Sequence, residues 1–199
     1  LLDGVALGRA SDSVVNLADL PAELVDRIEV YRGFAPAGLS PSSAAGVVNV
    51  VTKDPAKPTA GVAAGGGSFG TARANAMGAG PLAGGNASAF ASWRRTDGDF
   101  DYRDDNGTLY NPSDDRVRRR ANNDSEAVES LLRWKHPAFE GTRVQLREHI
   151  FHKDEGVPGL ARFTPPKARL ETTRQVAAAA LGSDRDRWNQ IGRASCRER

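Results

Sequence analysis

The chain has 199 residues, and its 27 Lys and Arg against 25 Asp and Glu give a formal net charge of +2. This small balance, with the charges dispersed along the chain, argues against a nucleic-acid-binding protein. Mean hydropathy is −0.48. The sequence has no apolar run of about 18 residues and predicts no transmembrane helix, whereas a membrane-spanning β-strand needs only about 9–11 alternating residues.

Both ends of the chain look unlike those of a complete protein. The sequence begins at Leu1 without Met or a signal-peptide pattern, so we expect a preceding segment. Residues 191–199 resemble the conceptual translation of a sequencing adapter, an artefact that we exclude from fold predictions; an ordinary basic tail is the alternative. Without their three Arg, one Glu and Cys196, 24 basic and 24 acidic residues remain, with no cysteine for a disulfide, a thiolate metal site or a nucleophile.

Residues 1–54 predict a small α+β unit. Residues 2–5 are typical of a strand edge that enters a turn. Asp19 is a candidate N-cap for a short helix over 19–25, because Pro21 fits an early helical position.

Two strands are predicted next, separated by a loop over 34–43. In the first, over 26–32, Ile28 and Val30 share one face and charged residues share the other. The second, over 47–51, is nearly all apolar, which is typical of a strand covered on both faces. Two prolines then mark a linker over 55–59, because proline cannot donate to a sheet ladder.

Six longer strands are predicted after the linker. Period-two alternation is clearest in the third to the fifth, while the alanine run 177–180 in the sixth suits a helix equally well. The predicted strands cover residues 60–66, 71–80, 87–96, 125–135, 142–152 and 171–181. On the third, Ala87, Ala89, Ala91 and Trp93 face one way; on the next two, Glu129, Arg133, Lys135, Arg143, Gln145, Arg147 and His149 lie on the polar face.

The alternation of apolar and polar residues alone also fits a soluble β-sandwich. The length of the strands and the order of the loops favour a barrel wall. The strands are about ten residues long, against the usual five or six in soluble sheets. Long polar stretches near 97–123 and 153–170 follow odd-numbered strands, as the external loops of a transmembrane barrel do.

Two segments carry a family resemblance. Residues 27–33 have the sequence Arg-Ile-Glu-Val-Tyr-Arg-Gly, and residues 45–53 have the sequence Ala-Gly-Val-Val-Asn-Val-Val-Thr-Lys. Both resemble the closing strands of the plug domain of TonB-dependent outer-membrane receptors. Residues 2–7 resemble an earlier Asp-Gly-Val strand of that domain, and residues 67–71 resemble the first turn of the barrel. Residues 38–42 replace the family's Leu-Tyr-Gly element, which indicates a divergent subgroup.

The resemblance implies a mainly β fold, an antiparallel transmembrane β-barrel of about 22 strands that is closed by a plug. The chain would be a fragment that holds the C-terminal part of the plug (1–54) and the first six or so barrel strands (60–190). Its function would be the uptake of a scarce solute across the bacterial cell outer membrane, foremost a ferric siderophore, with cobalamin or a saccharide as alternatives. Its partners would be TonB through the missing N-terminal segment, outer-membrane lipid and lipopolysaccharide, and an extracellular small-molecule ligand.

A plug inside a polar lumen needs charged strands that pair with the barrel wall, because buried charges need partners. The alternative is a solvated, charged strand edge, with glycines that only form turns. The plug-motif residues that the resemblance singles out are Arg27, Glu29, Arg32, Gly33, Gly46, Asn49 and Lys53.

Aromatic residues suggest two further sites. Phe100, Tyr102 and Tyr110 lie in the first long loop and are candidates for ligand contact. Trp93 and Trp134 lie near strand ends, as membrane-interface aromatics do, although packing within a sheet explains them as well.

Charged and histidine residues give weaker predictions. The basic run 116–120 can face lipopolysaccharide phosphates or steer an anionic siderophore, or it can be a solvated flank whose charge Asp114 and Asp115 offset. The acidic stretch 97–107 lacks the spacing of an EF-hand calcium loop. His149 and His152 lie three apart, so on a strand they face opposite sides and cannot share a metal ion. No catalytic or metal constellation emerges, so we expect neither an enzyme nor a cofactor; a soluble β-rich binding or adhesion module is the rival interpretation.

Overall fold

The computed structural model describes residues 1–7, 16–33, 39, 46–55, 57–108, 110–139, 141–159, 168–183 and 192–196. Apart from Leu39, the predicted loop over 34–43 lies outside these residues, as do residues 160–167 of the second predicted external loop. The strands are β1 Val25–Arg32, β2 Gly46–Thr52, β3 Thr59–Gly66, β4 Ala72–Leu82, β5 Gly85–Thr96, β6 Asp101–Asp104, β7 Arg116–Arg119, β8 Ser125–Phe139, β9 Thr142–Gly156, β10 Arg169–Ser183 and β11 Gly192–Cys196. In the described part of the chain, no helix is long and apolar enough to cross a membrane.

The helix predicted over 19–25 is replaced by two single turns of 3-10 helix, Leu17–Asp19 and Ala22–Leu24. Asn16, not Asp19, is the N-cap of the first turn, and its side chain accepts a hydrogen bond from the backbone N–H of Ala18 at 3.1 Å. The physical reason lies in Pro21, which disfavours helical angles at the residue before it. Leu20 is accordingly extended, so the two turns cannot merge.

Strands β1 and β2 form an antiparallel pair, with Val30 opposite Val48. The segment before them joins this pair through a parallel bridge between Leu2 and Val50. Leu2, Leu7 and Val50 form a small buried cluster beneath the bridge. Residues 1–7, 16–33 and 46–55 are called the N-terminal unit below.

The prediction that β2 is covered on both faces is only partly correct. Val47 and Val50 are buried, but Val48 is 42% exposed, as are Ile28 and Val30 at 59% and 60%. These three residues share one face of the two-stranded sheet with Val50, which packs on Leu2 and Leu7, so this face is covered only in part. An apolar run therefore does not establish that both faces of a strand are covered along their whole length.

The six strands predicted after the linker are confirmed. They form one antiparallel sheet with β11, in the order β11-β10-β9-β8-β5-β4-β3. The alanine run in β10 is strand rather than helix, because it pairs along its length with β9. Residues 192–196 pair with β10 through their backbone, which leaves the adapter interpretation of 191–199 a prediction.

Two details of the predicted connections are wrong. Strand β8 continues to Phe139, inside the turn predicted over 136–141, and its ladder with β9 has an irregularity between Pro137 and Phe139. The first long loop contains a hairpin-like pair, β6 with β7, in which Asp101 lies opposite Arg119. Opposite charges on facing positions stabilise such a pair, although neither strand has the apolar alternation that identifies strands in a sequence.

The seven-stranded sheet has two different faces. The covered face lies against the N-terminal unit and carries Phe90, Leu131, Arg133, Arg147 and His149, all of which are buried. Leu24 of the N-terminal unit joins Phe90 and Leu131 in a buried cluster that connects the two parts of the fold. The open face carries the alternate residues, and its large apolar side chains are exposed: Val62, Val128, Leu132, Leu146, Ile150 and Leu181.

Candidate functional site

The covered face binds the N-terminal unit through a carboxylate held by two arginines. Oδ2 of Asp3 accepts hydrogen bonds from Arg133 Nη2 at 2.7 Å and from Arg147 Nη1 at 2.9 Å. Thr52 completes the site, since its backbone N–H donates to Oδ1 and its hydroxyl to Oδ2, both at 2.7 Å. Each arginine side chain is 4% exposed, so these are buried charges that have found their partner.

A second carboxylate extends this contact to the end of β8. Asp54 lies 3.5 Å from Arg133 Nη1 and forms an ion pair with Lys135. Arg133 also donates to the backbone carbonyl of Lys53 at 3.3 Å. Arg133 thus contacts two consecutive residues, Lys53 and Asp54, of the segment that leaves the N-terminal unit for β3.

A third contact lies toward the other end of the strands. Asp19 pairs with Lys153 at 3.2 Å, and Lys153 also pairs with Glu155 at 2.7 Å. Arg94 donates to the backbone carbonyls of Ala18 and Asp19, at 3.0 and 2.6 Å. The 3-10 turn that replaced the predicted helix therefore presents both a carboxylate and its carbonyl groups to the sheet.

The described ion pairs between the N-terminal unit and the sheet are not made by the charged motif residues that the sequence suggested. Arg27 and Glu29, two of the candidates for pairing with a barrel wall, pair with each other at 2.9 Å within the N-terminal unit. The ion pairs that do connect the unit with the sheet have their acids on the unit, namely Asp3, Asp19, Glu23 and Asp54. Alternation had placed Arg133 and Arg147 on the correct face, but no sequence signal singled out Asp3.

Glu29 is the centre of a polar network on the β1–β2 pair. It accepts hydrogen bonds from the Asn49 amide at 2.9 Å, from Arg27 at 2.9 Å and from the Tyr31 hydroxyl at 3.1 Å. These donors, the Asn49 amide foremost, hold the pKa of the Glu29 carboxyl below its usual value. Asn49 is buried, and its carbonyl oxygen accepts from the backbone N–H of Gly4 at 2.7 Å, so it links the predicted motif to the turn that bears Asp3.

The remaining motif residues lie at positive-φ positions or on the surface. Gly33 and Gly46 have φ angles of +83° and +133°, a region that favours glycine. Arg32 and Lys53 are exposed, and the backbone N–H of Lys53 donates to the carbonyl of Leu24 at 2.9 Å.

His149 forms a buried polar pair with Glu129 on the covered face. Their side chains are 0% and 1% exposed, and Nε2 of His149 lies 2.7 Å from the Glu129 carboxylate. His152 lies on the open face and bonds to the Thr173 hydroxyl at 3.0 Å, so the two histidines face opposite sides as predicted. Among the residues for which positions are given, no three His, Cys, Asp or Glu side chains are grouped to hold a metal ion.

The aromatic residues predicted to contact a ligand are only partly brought together. Phe100 packs edge-on between Phe69 and Tyr102, with ring centroids at 5.9 and 6.4 Å. The Arg120 guanidinium lies 5.6 Å from the centre of the Tyr102 ring. Tyr110 is 93% exposed. Phe69 and Arg120, which were not predicted, belong to this cluster in its place.

The basic run 116–120 is largely neutralised. Arg118 pairs with the buried carboxylate of Asp104 at 2.8 Å, and Arg119 pairs with Asp99. The acidic stretch 97–107 therefore supplies partners for these arginines. Asp115, one of the two acids expected to offset the run, pairs with Arg103 instead, and Asp114 accepts from the Thr108 hydroxyl.

Trp93 and Trp134 both lie on the open face, toward opposite ends of the strands. The indole N–H of Trp93 donates to Glu126 at 2.7 Å, and that of Trp134 donates to the carbonyl of Leu82 at 3.1 Å. Trp134 lies opposite Ala87, six residues before Trp93 on β5, so the two indoles are separated by roughly 20 Å along the strands. The surface between them is apolar on β3 to β5 and is interrupted on β9 and β10 by Glu148, which accepts from Gln175 at 2.8 Å.

No model of a known protein family matches the sequence, and no curated protein matches it either.

Proposed function

We propose that the chain is part of a TonB-dependent receptor of the bacterial outer membrane, which imports a scarce solute, foremost a ferric siderophore. Within the same class, cobalamin and saccharides are the alternative solutes. TonB is the proposed energy-coupling partner, outer-membrane lipid and lipopolysaccharide are the proposed surroundings, and an extracellular small molecule is the proposed ligand.

The observation that carries this proposal is the two-faced antiparallel sheet. One face exposes large apolar side chains between two tryptophans, the pattern expected of a wall in contact with lipid. The other face is rich in arginine and lies against the unit that bears the plug-like motifs. A water-soluble sheet of this size would be expected to cover or avoid so many exposed apolar side chains.

A soluble binding or adhesion module is the second candidate, and one observation favours it. Glu148, Gln175 and His152 place polar groups on the open face, where contact with lipid is costly for a carboxylate.

The test of the proposal is solute uptake by cells that express the source gene of this chain. The host is a Gram-negative strain without siderophore receptors of its own, with TonB intact or deleted. Radio-iron on catecholate and hydroxamate siderophores, cyanocobalamin and maltodextrin serve as the probes. We expect the protein in the outer-membrane fraction and saturable uptake of one probe that is lost without TonB.

Two outcomes would contradict the proposal. The first is recovery of the protein in the water-soluble fraction, which the binding-module interpretation predicts. The second is probe uptake that is unchanged when TonB is deleted.

A further inference from the structure

We propose that Arg133 and Arg147 form a binding site for carboxylate-bearing solutes, and that Asp3 occupies this site as a resident ligand. A solute carboxylate that replaces Asp3 would loosen the N-terminal unit from the sheet. This inference deepens the proposed function and rests on it in one respect, since the competing solute would be the imported one.

The geometry is that of a carboxylate receptor. Arg133 and Arg147 lie directly opposite each other on β8 and β9, and both donate to the same oxygen of Asp3, at 2.7 and 2.9 Å. Two donors from Thr52 bring the total to four hydrogen bonds on one carboxylate. Guanidinium groups suit this task, because their planar forks match the geometry of a carboxylate.

The arginine pair requires an anion whether or not Asp3 supplies it. Like charges at directly opposed positions of an antiparallel pair destabilise it. While the N-terminal unit covers them, both side chains are 4% exposed, so they are buried charges that need a counter-ion. When Asp3 leaves, the site is therefore primed to bind another carboxylate.

Asp3 belongs to the segment that joins β2 through the bridge between Leu2 and Val50, so it moves together with the N-terminal unit. It forms a tight turn with Gly4, with φ angles of +46° and +77°, and Asp-Gly is a preferred pair for two-residue turns of this kind. The carboxylate thus projects from the tip of a turn rather than from a strand. Arg147 also donates to the carbonyl of Leu2 at 3.0 Å, so both of these contacts of Arg147 are made with the same turn.

The charge of the whole covered face defines the class of solute. The described ion pairs between the sheet and the N-terminal unit all have the base on the sheet and the acid on the unit. Movement of the unit therefore uncovers a basic surface, along which a solute with several carboxylates can exchange from one cation to the next. Its basic residues include Arg94, Arg133, Lys135, Arg147 and Lys153.

Chemical rescue of a variant that lacks the resident carboxylate tests this proposal. Asp3→Ala removes the carboxylate that the two arginines share, while Asp54 stays beside Arg133. Asp26→Ala is the control, because Asp26 is an exposed acid of the same unit that pairs with Arg27. The purified full chain is heated in sodium acetate, sodium phosphate or sodium chloride at equal ionic strength. We expect acetate to raise the unfolding midpoint of Asp3→Ala by roughly 3 °C over chloride, with no such difference for Asp26→Ala or for Asp3→Ala combined with Arg147→Gln.

A second measurement keeps Asp3 and therefore tests the proposal even if the Asp3→Ala protein does not fold. In a Cys196→Ser background, Val5→Cys reports on the opening of the turn through its rate of reaction with a maleimide. We expect citrate to accelerate the reaction by roughly threefold over chloride at equal ionic strength.

The outcomes separate this inference from the proposed function. A folded Asp3→Ala protein that responds equally to acetate and chloride would overturn the inference, as would a maleimide rate that citrate leaves unchanged. Rescue by phosphate as strong as by acetate would overturn the carboxylate assignment. Both measurements use purified protein, so they stand or fall independently of TonB-dependent uptake in cells.

Discussion

At the scale of single residues, Gly46 has the least freedom of the motif glycines. Its φ angle is +133°, and a Cβ atom built there would lie 2.6 Å from the carbonyl oxygen of Tyr31. We expect Gly46→Ala to lower the free energy of unfolding by roughly 2–4 kcal/mol, because both the backbone angle and the contact become unfavourable. The midpoint of urea unfolding measures the change.

Gly33→Ala is the matched control for this prediction. Gly33 also has a positive φ of +83°, but no atom of the described residues lies within 4 Å of a Cβ atom at that position. Its substitution should cost only the backbone term, about 1 kcal/mol. Equal losses for the two variants would show that the contact with Tyr31 does not restrict Gly46.

At the residue scale, the sequence predicted which face of a strand a side chain lies on, but it did not predict which residue that side chain pairs with. Period-two alternation assigned Arg133 and Arg147 to the polar face of β8 and β9, because the position along a strand alone decides the side. It did not identify Asp3, since the pairing depends on how the turn at residues 2–5 docks on a sheet some 130 residues later in the chain. Contacts of such long range have no local signature.

At the scale of elements, the β1–β2 pair contains a pH-dependent contribution to stability. The Asn49 amide, followed by Arg27, holds the pKa of Glu29 below its usual value. A depressed carboxyl pKa stabilises the fold above the pKa of the unfolded chain, and this stability is lost as pH falls through the folded pKa. We expect Glu29→Gln to flatten the decline in urea midpoint between about pH 5 and pH 3.

An NMR titration of the Glu29 carboxyl group checks the cause of this effect. In Asn49→Ala the largest favourable hydrogen bond is gone, so the pKa of Glu29 should rise toward its ordinary value. Tyr31→Phe removes a smaller contribution and should shift it less. A larger rise in Tyr31→Phe than in Asn49→Ala would contradict the order of causes.

Strands and helices were predictable from the sequence where nearby residues determine the backbone conformation. Five of the six long strands were identified by alternation and turn residues, and the sixth was settled only by its pairing with β9. The prediction of a short helix was wrong because Pro21 disfavours helical backbone angles at Leu20, and the capping residues do not overcome this effect. Alternation did not identify the β6–β7 pair, because each strand has only four residues and three of the four are charged.

At the scale of the whole molecule, the two faces of the sheet require different surroundings. The covered face meets the acidic residues of the N-terminal unit, while the open face exposes Leu132 by 50% and Ile150 by 38%. Sequence alternation predicts that the faces differ, but it cannot tell whether lipid or a second protein layer meets the apolar one. In the part of the chain that the structure describes, the large apolar side chains of the open face are exposed. An experiment must therefore determine whether lipid or water contacts this face.

Leu132→Arg distinguishes the two surroundings. Leu132 lies on the open face between the levels of Trp93 and Trp134, so in a bilayer an arginine there should lower the free energy of unfolding by about 2–4 kcal/mol. In a water-soluble module the same exposed position should tolerate arginine within about 0.5 kcal/mol. Val157→Arg is the control, because Val157 is similarly exposed at 41% but follows the end of β9, where the bilayer cost falls to about 0–1 kcal/mol. Unfolding of the full-length gene product by urea in lipid vesicles measures both, and equal tolerance at the two positions would contradict a lipid-facing sheet.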